Sequence, residues 1–182
     1  MLKLTKPRVV FATHILIAIA ALVMLGVAFS QPLASVSLGN NIVQVVDDIY
    51  MTQECGSIST QGLPNQRKCA DVDSVFKPHM QAVMGVVIAL MVCIFLQFIS
   101  MNFGEIVSNA FGVLVLGLAI AVIVLVAILT GFTRGGYSYK LTGTSIGVLI
   151  FVGMLVLFEL FYNKLVHRVV LAPYRLVAGK KV

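Results

Sequence analysis

The sequence predicts a membrane α-helical protein: a four-transmembrane-helix bundle with a small extracellular β-sheet formed by the first and second outer loops. Three observations carry that reading. Hydrophobic residues make up 59% of the 182-residue chain and charged residues only 11%, less than half the charged share usual in a soluble domain. The apolar residues fall into four blocks, each near the ~20 helical residues needed to cross a bilayer core. The remaining polar residues collect in one long island after the first block and in short connections thereafter.

Taken in order, the first span is expected at 9–29, from a run of aliphatic residues closed by Gln31-Pro32. Its basic start (Lys3, Lys6, Arg8) would suit a signal peptide, but the run is longer than the usual apolar core of about 7–15 residues. A retained anchor is the favoured expectation, with cleavage after Ala28 or Ser30 the alternative. The outer loop covers 30–79. The second span is expected at 80–101, and a tight turn, NFGEIVSN, leads to a third, almost purely aliphatic span at 110–132. The second outer loop is 133–143, the fourth span 144–162, and a basic tail occupies 163–182. All of this makes one four-span membrane domain.

Orientation follows from the cations. Four spans put both termini on one side, and both termini are basic: three Lys or Arg in the first eight residues, and Lys164, Arg168, Arg175, Lys180 and Lys181 in the tail. Positive flanks stay in the cytoplasm, so both loops are expected outside, with the plasma membrane the expected location. The formal charge of +6 then reflects helix anchors and contact with anionic lipid rather than nucleic-acid binding. The tail segment LVHRVVLAPYRLVAGKKV mixes apolar and basic residues, as an interfacial segment would.

The island reads as β-structure. SVSLGNNIVQVV sets Gly-Asn-Asn between two β-branched stretches, a hairpin signal. IYMTQEC and RKCADV read as two further strands, with the turn-rich GSISTQGLPNQ between them. GGYSYKL, from the second outer loop, alternates Tyr137 and Tyr139 with polar residues and suits an added edge strand. Cys55 and Cys69 lie on the side where disulfides persist and are expected to pair, two unpaired thiols being the alternative. Cys93 falls within a span, where a lone thiol behaves as a small apolar residue. Two cysteines and a distant His79 are too few ligands for zinc, and no metal or cofactor is expected.

These elements resemble the claudin superfamily, which includes claudins, peripheral myelin proteins and the auxiliary subunits of glutamate receptors and calcium channels. The plan is similar over nearly the whole chain: a long first outer loop, a very short inner turn and a short second outer loop. The cysteine segment carries the more specific likeness, with IYMTQEC before the first cysteine and KCADVDS around the second, and GGYSYKLTGTSIG resembles the tyrosine-rich entry to the last span. The family's Trp-containing GLW stretch has no counterpart, because the chain contains no tryptophan; Tyr50 is the aromatic residue nearest in place. Amastins and fungal cortical four-span proteins share the general plan, whereas tetraspanins carry their large loop between spans three and four.

Ionisable residues inside apolar spans are functional candidates by default, and His14 and Glu159 are two such residues. Each lies a turn or two from the cytoplasmic end of its span, so they are expected at similar depth as an intramembrane polar pair. The alternative has both snorkelling to the headgroups, with Glu159 paired to Lys164. Gly112, Gly117, Gly143, Gly147 and Gly153 suit close helix packing. Tyr50, Tyr137 and Tyr139 are the expected partner-contact surface. No paired carboxylates, phosphate loop or nucleophile with a plausible partner is present in the sequence, so no enzyme is expected. The resemblance implies a non-enzymatic auxiliary or structural subunit of a larger membrane complex, in contact with lipid and other membrane proteins. Cell–cell adhesion is the first alternative and a small transporter using His14 and Glu159 the second.

Overall fold

A computed structural model describes residues 6–39, 43–60, 64–73, 76–100, 105–134 and 136–163. It contains four long helices: α1 (Lys6–Ala28), α2 (Lys77–Ser100), α3 (Glu105–Ile128) and α4 (Gly143–Tyr162). Three helical segments, Lys77–Ser100, Ile106–Gly131 and Gly143–Tyr162, are long and apolar enough to cross a membrane. The described apolar part of α1, Ala12–Ala28, is shorter. The tail at 164–182 lies outside the described residues, so the expected interfacial segment does too.

Each helix buries one stripe at three- and four-residue spacing. These are His14, Ala18, Ala21, Leu25 and Ala28 on α1, and Met80, Val83, Val87, Leu90, Ile94 and Gln97 on α2. On α3 they are Gly112, Val115, Ala119, Val122 and Val126, and on α4 Ser145, Val148, Val152, Leu155 and Glu159. Alternating steps of three and four keep successive side chains on one helix face, the seam by which near-parallel helices interdigitate. The opposite faces carry exposed large apolar residues, among them Leu16, Phe95, Leu114 and Leu157, as a lipid-facing surface requires. Packing runs α2 on α3, α3 on α4 and α4 on α1, with α1 and α2 touching more lightly.

Above one end of the helices lies a five-stranded antiparallel sheet in the order β4-β3-β2-β1-β7, from β1 (Ala34–Gly39), β2 (Val43–Ile49), β3 (Gln53–Thr60), β4 (Gln66–Asp71) and β7 (Lys140–Leu141). β1 alternates as period two demands: Ala34 and Val36 are buried and Ser37 is exposed. The hairpin read from SVSLGNNIVQVV forms with Gly39 opposite Gln44, and Gly39 has φ 134°, a conformation only glycine takes freely. The disulfide joins Cys55 to Cys69, which face each other across β3 and β4 with Cα atoms 4.1 Å apart.

Two sequence expectations need correction here. GSIST is strand rather than turn, because β3 runs on to Thr60 and pairs along all of β2, from Ile49↔Glu54 to Val43↔Thr60. A continuous ladder on the neighbouring strand outweighs the turn preference of Gly and Ser. NFGEIVSN is likewise not all turn: the helix starts at Glu105, since EIVSNAF holds no glycine or proline to stop it.

The second outer loop splits. Lys140–Leu141 joins the sheet beside β1, with Ala34↔Leu141 and Ser35↔Lys140. Tyr137–Ser138 (β6) instead pairs with Thr133–Arg134 (β5) in a separate hairpin around Gly136. Leu33 ties sheet to bundle. Its carbonyl accepts from the Thr142 amide at 3.2 Å and from the Ser145 hydroxyl, while Thr142 Oγ1 also donates to the Pro32 carbonyl. Thr142 thus caps α4 and holds the chain leaving α1.

The disulfide closes a separation of 14 residues. Replacing Cys55 and Cys69 together with Ala is expected to destabilise the sheet by about 3 kcal/mol, read as lost resistance of 43–71 to limited proteolysis. Unchanged cleavage kinetics in the double variant would contradict this.

Candidate functional site

At the end of the bundle away from the sheet, the four buried stripes terminate in polar residues or glycine, and these meet. Glu159 on α4 is 2% exposed. Its Oε1 accepts from Gln97 Nε2 of α2 at 2.8 Å, and its Oε2 accepts from Asn163 Nδ2 at 2.9 Å. His14 of α1 places Nε2 3.2 Å from Oε1. That distance is ion-pair range, yet Nε2 makes no aligned hydrogen bond, so proximity rather than direction ties His14 to the carboxylate. The His14 ring stacks on Phe158, with centroids 4.5 Å apart and planes at 17°.

α3 contributes space and a carbonyl. Asn163 Nδ2 also donates to the Asn109 carbonyl at 3.1 Å. A Cβ at Gly112 would stand 2.1 Å from Asn163 Nδ2, 2.5 Å from Glu159 Oε2 and 3.0 Å from Gln97 Nε2. Glycine is therefore required where α3 passes the cluster. The expected His14–Glu159 pair is brought together at similar depth, but inside a larger network whose other members, Gln97, Asn163 and Asn109, the sequence reading passed over. One signal was there: Gln97 falls in the three-and-four register of the α2 stripe, and Asn163 one turn after Glu159.

The chemistry of this arrangement is acceptor satisfaction. A buried carboxylate without partners is strongly unfavourable, and removing one partner of a buried pair typically costs about 3–5 kcal/mol. Here the carboxylate receives an amide donor from α2, a second from Asn163 at the C-cap of its own helix, and the imidazole of α1 alongside, while Asn163 also reaches α3, so the helices are held in one rotational setting. Among the described residues no group of three His, Cys, Asp or Glu is placed to hold a metal ion.

Of the three tyrosines expected to contact partners, only Tyr137, 58% exposed, lies at the surface. Tyr139 is buried because it packs edge-on to Phe76 at 5.6 Å, within a cluster that also joins Phe76 to Phe132 at 4.8 Å. His79 packs on Phe132 in the same cluster and bonds the Leu125 carbonyl at 2.9 Å, where α3 gives way to a 3-10 turn. Tyr50 is also buried. Its hydroxyl accepts from the Arg67 guanidinium, which sits 5.8 Å from the ring centroid. Beside it, burial raises the Asp48 pKa above the ordinary aspartate value; the Arg67 charge opposes that shift and neighbouring Asp47 adds to it.

No family model matches the chain, and no curated protein matches it significantly.

Two outcomes follow from this geometry. Gly112→Ala is expected to cost about 1–3 kcal/mol through overpacking, read as a lower unfolding midpoint in mixed detergent. Gly147→Ala should be near neutral, because its Cβ would meet only the flexible end of Met24; equal effects of the two substitutions would refute this reading. For Asp48, a folded-state pKa above the unfolded one means that its stabilising contribution is present below the ordinary aspartate pKa and lost as pH rises through the raised value. Hydrogen-exchange protection of β2 and β3 should fall over that window in the wild type and lose this component in Asp48→Asn. An identical pH profile in the variant would show that Asp48 is not the titrating group.

Proposed function

We propose that this protein is a claudin-like, non-enzymatic four-span membrane protein that serves as an auxiliary or structural subunit of a larger membrane complex. In this reading its termini are cytoplasmic and its disulfide-tied sheet lies outside the plasma membrane. α1 has 23 residues, about 35 Å at 1.5 Å per residue, which suits a fourth crossing of a core ~30 Å thick. The orientation is supported by agreement between two ends. The disulfide belongs to the sheet end, where an oxidising compartment preserves it. The basic N-terminus belongs to the other. The claudin likeness is supported by Lys140–Leu141 of the second loop completing a sheet made by the first.

The observation that carries the subunit role is the free edge of that sheet. Every residue of β4 is exposed, and the strand presents Arg67 and Lys68 on an outer edge that, among the described residues, no further strand pairs with. Charged edge strands resist pairing with a copy of themselves. They suit a complementary surface on a different protein, with charge steering the encounter. This favours a heterologous partner over lateral polymerisation of one chain. The transporter alternative draws on the buried His14–Glu159 contact at 3.2 Å; it requires Glu159→Gln to abolish flux while surface expression persists.

Purification from native membranes in mild detergent, followed by mass spectrometry, tests the subunit role. A larger membrane protein in fixed stoichiometry is expected, and its recovery should drop when Arg67 and Lys68 are both changed to Glu. A homopolymer would favour adhesion, and a partner-free monomer would overturn both.

A further inference from the structure

Where the sheet meets α2, a cleft of about 250 Å³ opens at the surface. Its floor is apolar and buried: Met51, which follows β2, Val72, which follows β4, and Met80 on α2. Its rim is polar and exposed. Asp71 lies on one side, and Lys77 and Gln81, both in the first turns of α2, lie on the other. Among the described residues neither Asp71 nor Lys77 makes an ion pair, so an acid and a base line one cleft with their charges unspent.

Below the cleft runs an exposed stripe of α2. Gln81, Gly85, Ile88, Val92, Phe95 and Ile99 are all exposed and follow one another at three- and four-residue steps along a single face of α2. A Cβ at Gly85 would meet nothing within 4 Å, so this face has an open notch directly below the rim. Because α2 starts at Lys77, the rim stands at headgroup depth and Met84 about 10 Å further in at 1.5 Å per residue.

We propose that this cleft and stripe form a binding site for one zwitterionic phospholipid of the leaflet nearer the sheet. The phosphate accepts from the Lys77 ammonium and the Gln81 amide, the headgroup cation faces the Asp71 carboxylate, and an acyl chain lies through the Gly85 notch along Ile88 and Val92. Charge complementarity selects this occupant. An anionic lipid without a headgroup cation, such as phosphatidylglycerol, satisfies Lys77 but brings no cation to Asp71, and a free anion or cation leaves the apolar floor and stripe uncovered. Methionines at the floor and mouth (Met51, Met80, Met84) adapt to a chain of variable shape. The site requires only that α2 crosses the bilayer, so it does not depend on the subunit role.

The absence of tryptophan makes a clean reporter available. Ile88→Trp places a single fluorophore about two turns below Gln81 of the rim, and Ile150→Trp gives a control on the exposed face of α4. The full-length protein would be reconstituted into vesicles of phosphatidylcholine mixed with phosphatidylglycerol. Bromine is carried on the chains of one lipid or the other, and quenching gives the relative occupancy at each reporter. At Ile88→Trp, phosphatidylcholine should be preferred about three-fold or more, within the range of an interfacial charge contact, and at Ile150→Trp not at all. Asp71→Asn in the Ile88→Trp background should abolish the preference, and Lys77→Gln should weaken retention of both lipids. Equal occupancy at the two reporters, or a preference unchanged by Asp71→Asn, would overturn the proposal. All four substituted positions are exposed, so misfolding is not expected to mask the result, and an unchanged unfolding midpoint checks this.

Discussion

Hydrocarbon offers no hydrogen bonds, and much of this chain is arranged by that constraint. Backbone groups are satisfied within helices, and side chains able to bond must find one another or stay at the ends. Glu159 is the severe case, since it is an acceptor at 2% exposure at the end of a buried stripe that runs through Val148, Val152 and Leu155. Its donors come from Gln97 and Asn163 with His14 alongside, and the close passage of α3 at Gly112 makes room for them. Every helix contributes a residue at which its buried stripe changes character. The cluster therefore fixes rotation and depth together, which apolar packing alone leaves loosely specified in lipid.

The opposite end has a different solution. There the chain leaves the helices and the sheet takes over, joined to the bundle through the Leu33 carbonyl and the Thr142 and Ser145 hydroxyls. The aromatic cluster of Phe76, Phe132 and Tyr139 fills the corner. One end of the molecule is thus pinned by a carboxylate and the other by a shared carbonyl, and the apolar stripes between them need only fit. Among the described residues the charged edge β4 and the outward helix faces are left exposed, and both proposals about binding draw on those.

Much of this was legible in the residues. Apolar runs near twenty residues placed the helices to within a few positions, and Gly-Asn-Asn between β-branched stretches placed the first hairpin. Other features were hidden because they are set by partners distant in sequence. Nothing local marks GSIST as strand; its ladder with β2 does. Tyr139 reads as a surface residue until Phe76, 63 positions earlier, is seen against it. The pairing of His14 with Glu159 followed from matching their distances to the span ends. The role of Gln97 required following the α2 stripe one step further, to a polar residue still on the inward face.

In the proposed role the charged edge β4 engages a different protein while the carboxylate cluster keeps the helices that carry it in one setting. A photo-crosslinking residue in place of Lys68, on the exposed edge β4, reports this directly in intact membranes. One dominant adduct with a single heterologous membrane protein is expected, lost when Cys55 and Cys69 are both replaced. Adducts only with a second copy of this chain, or none above the level seen from a crosslinker at Ile150, would contradict it.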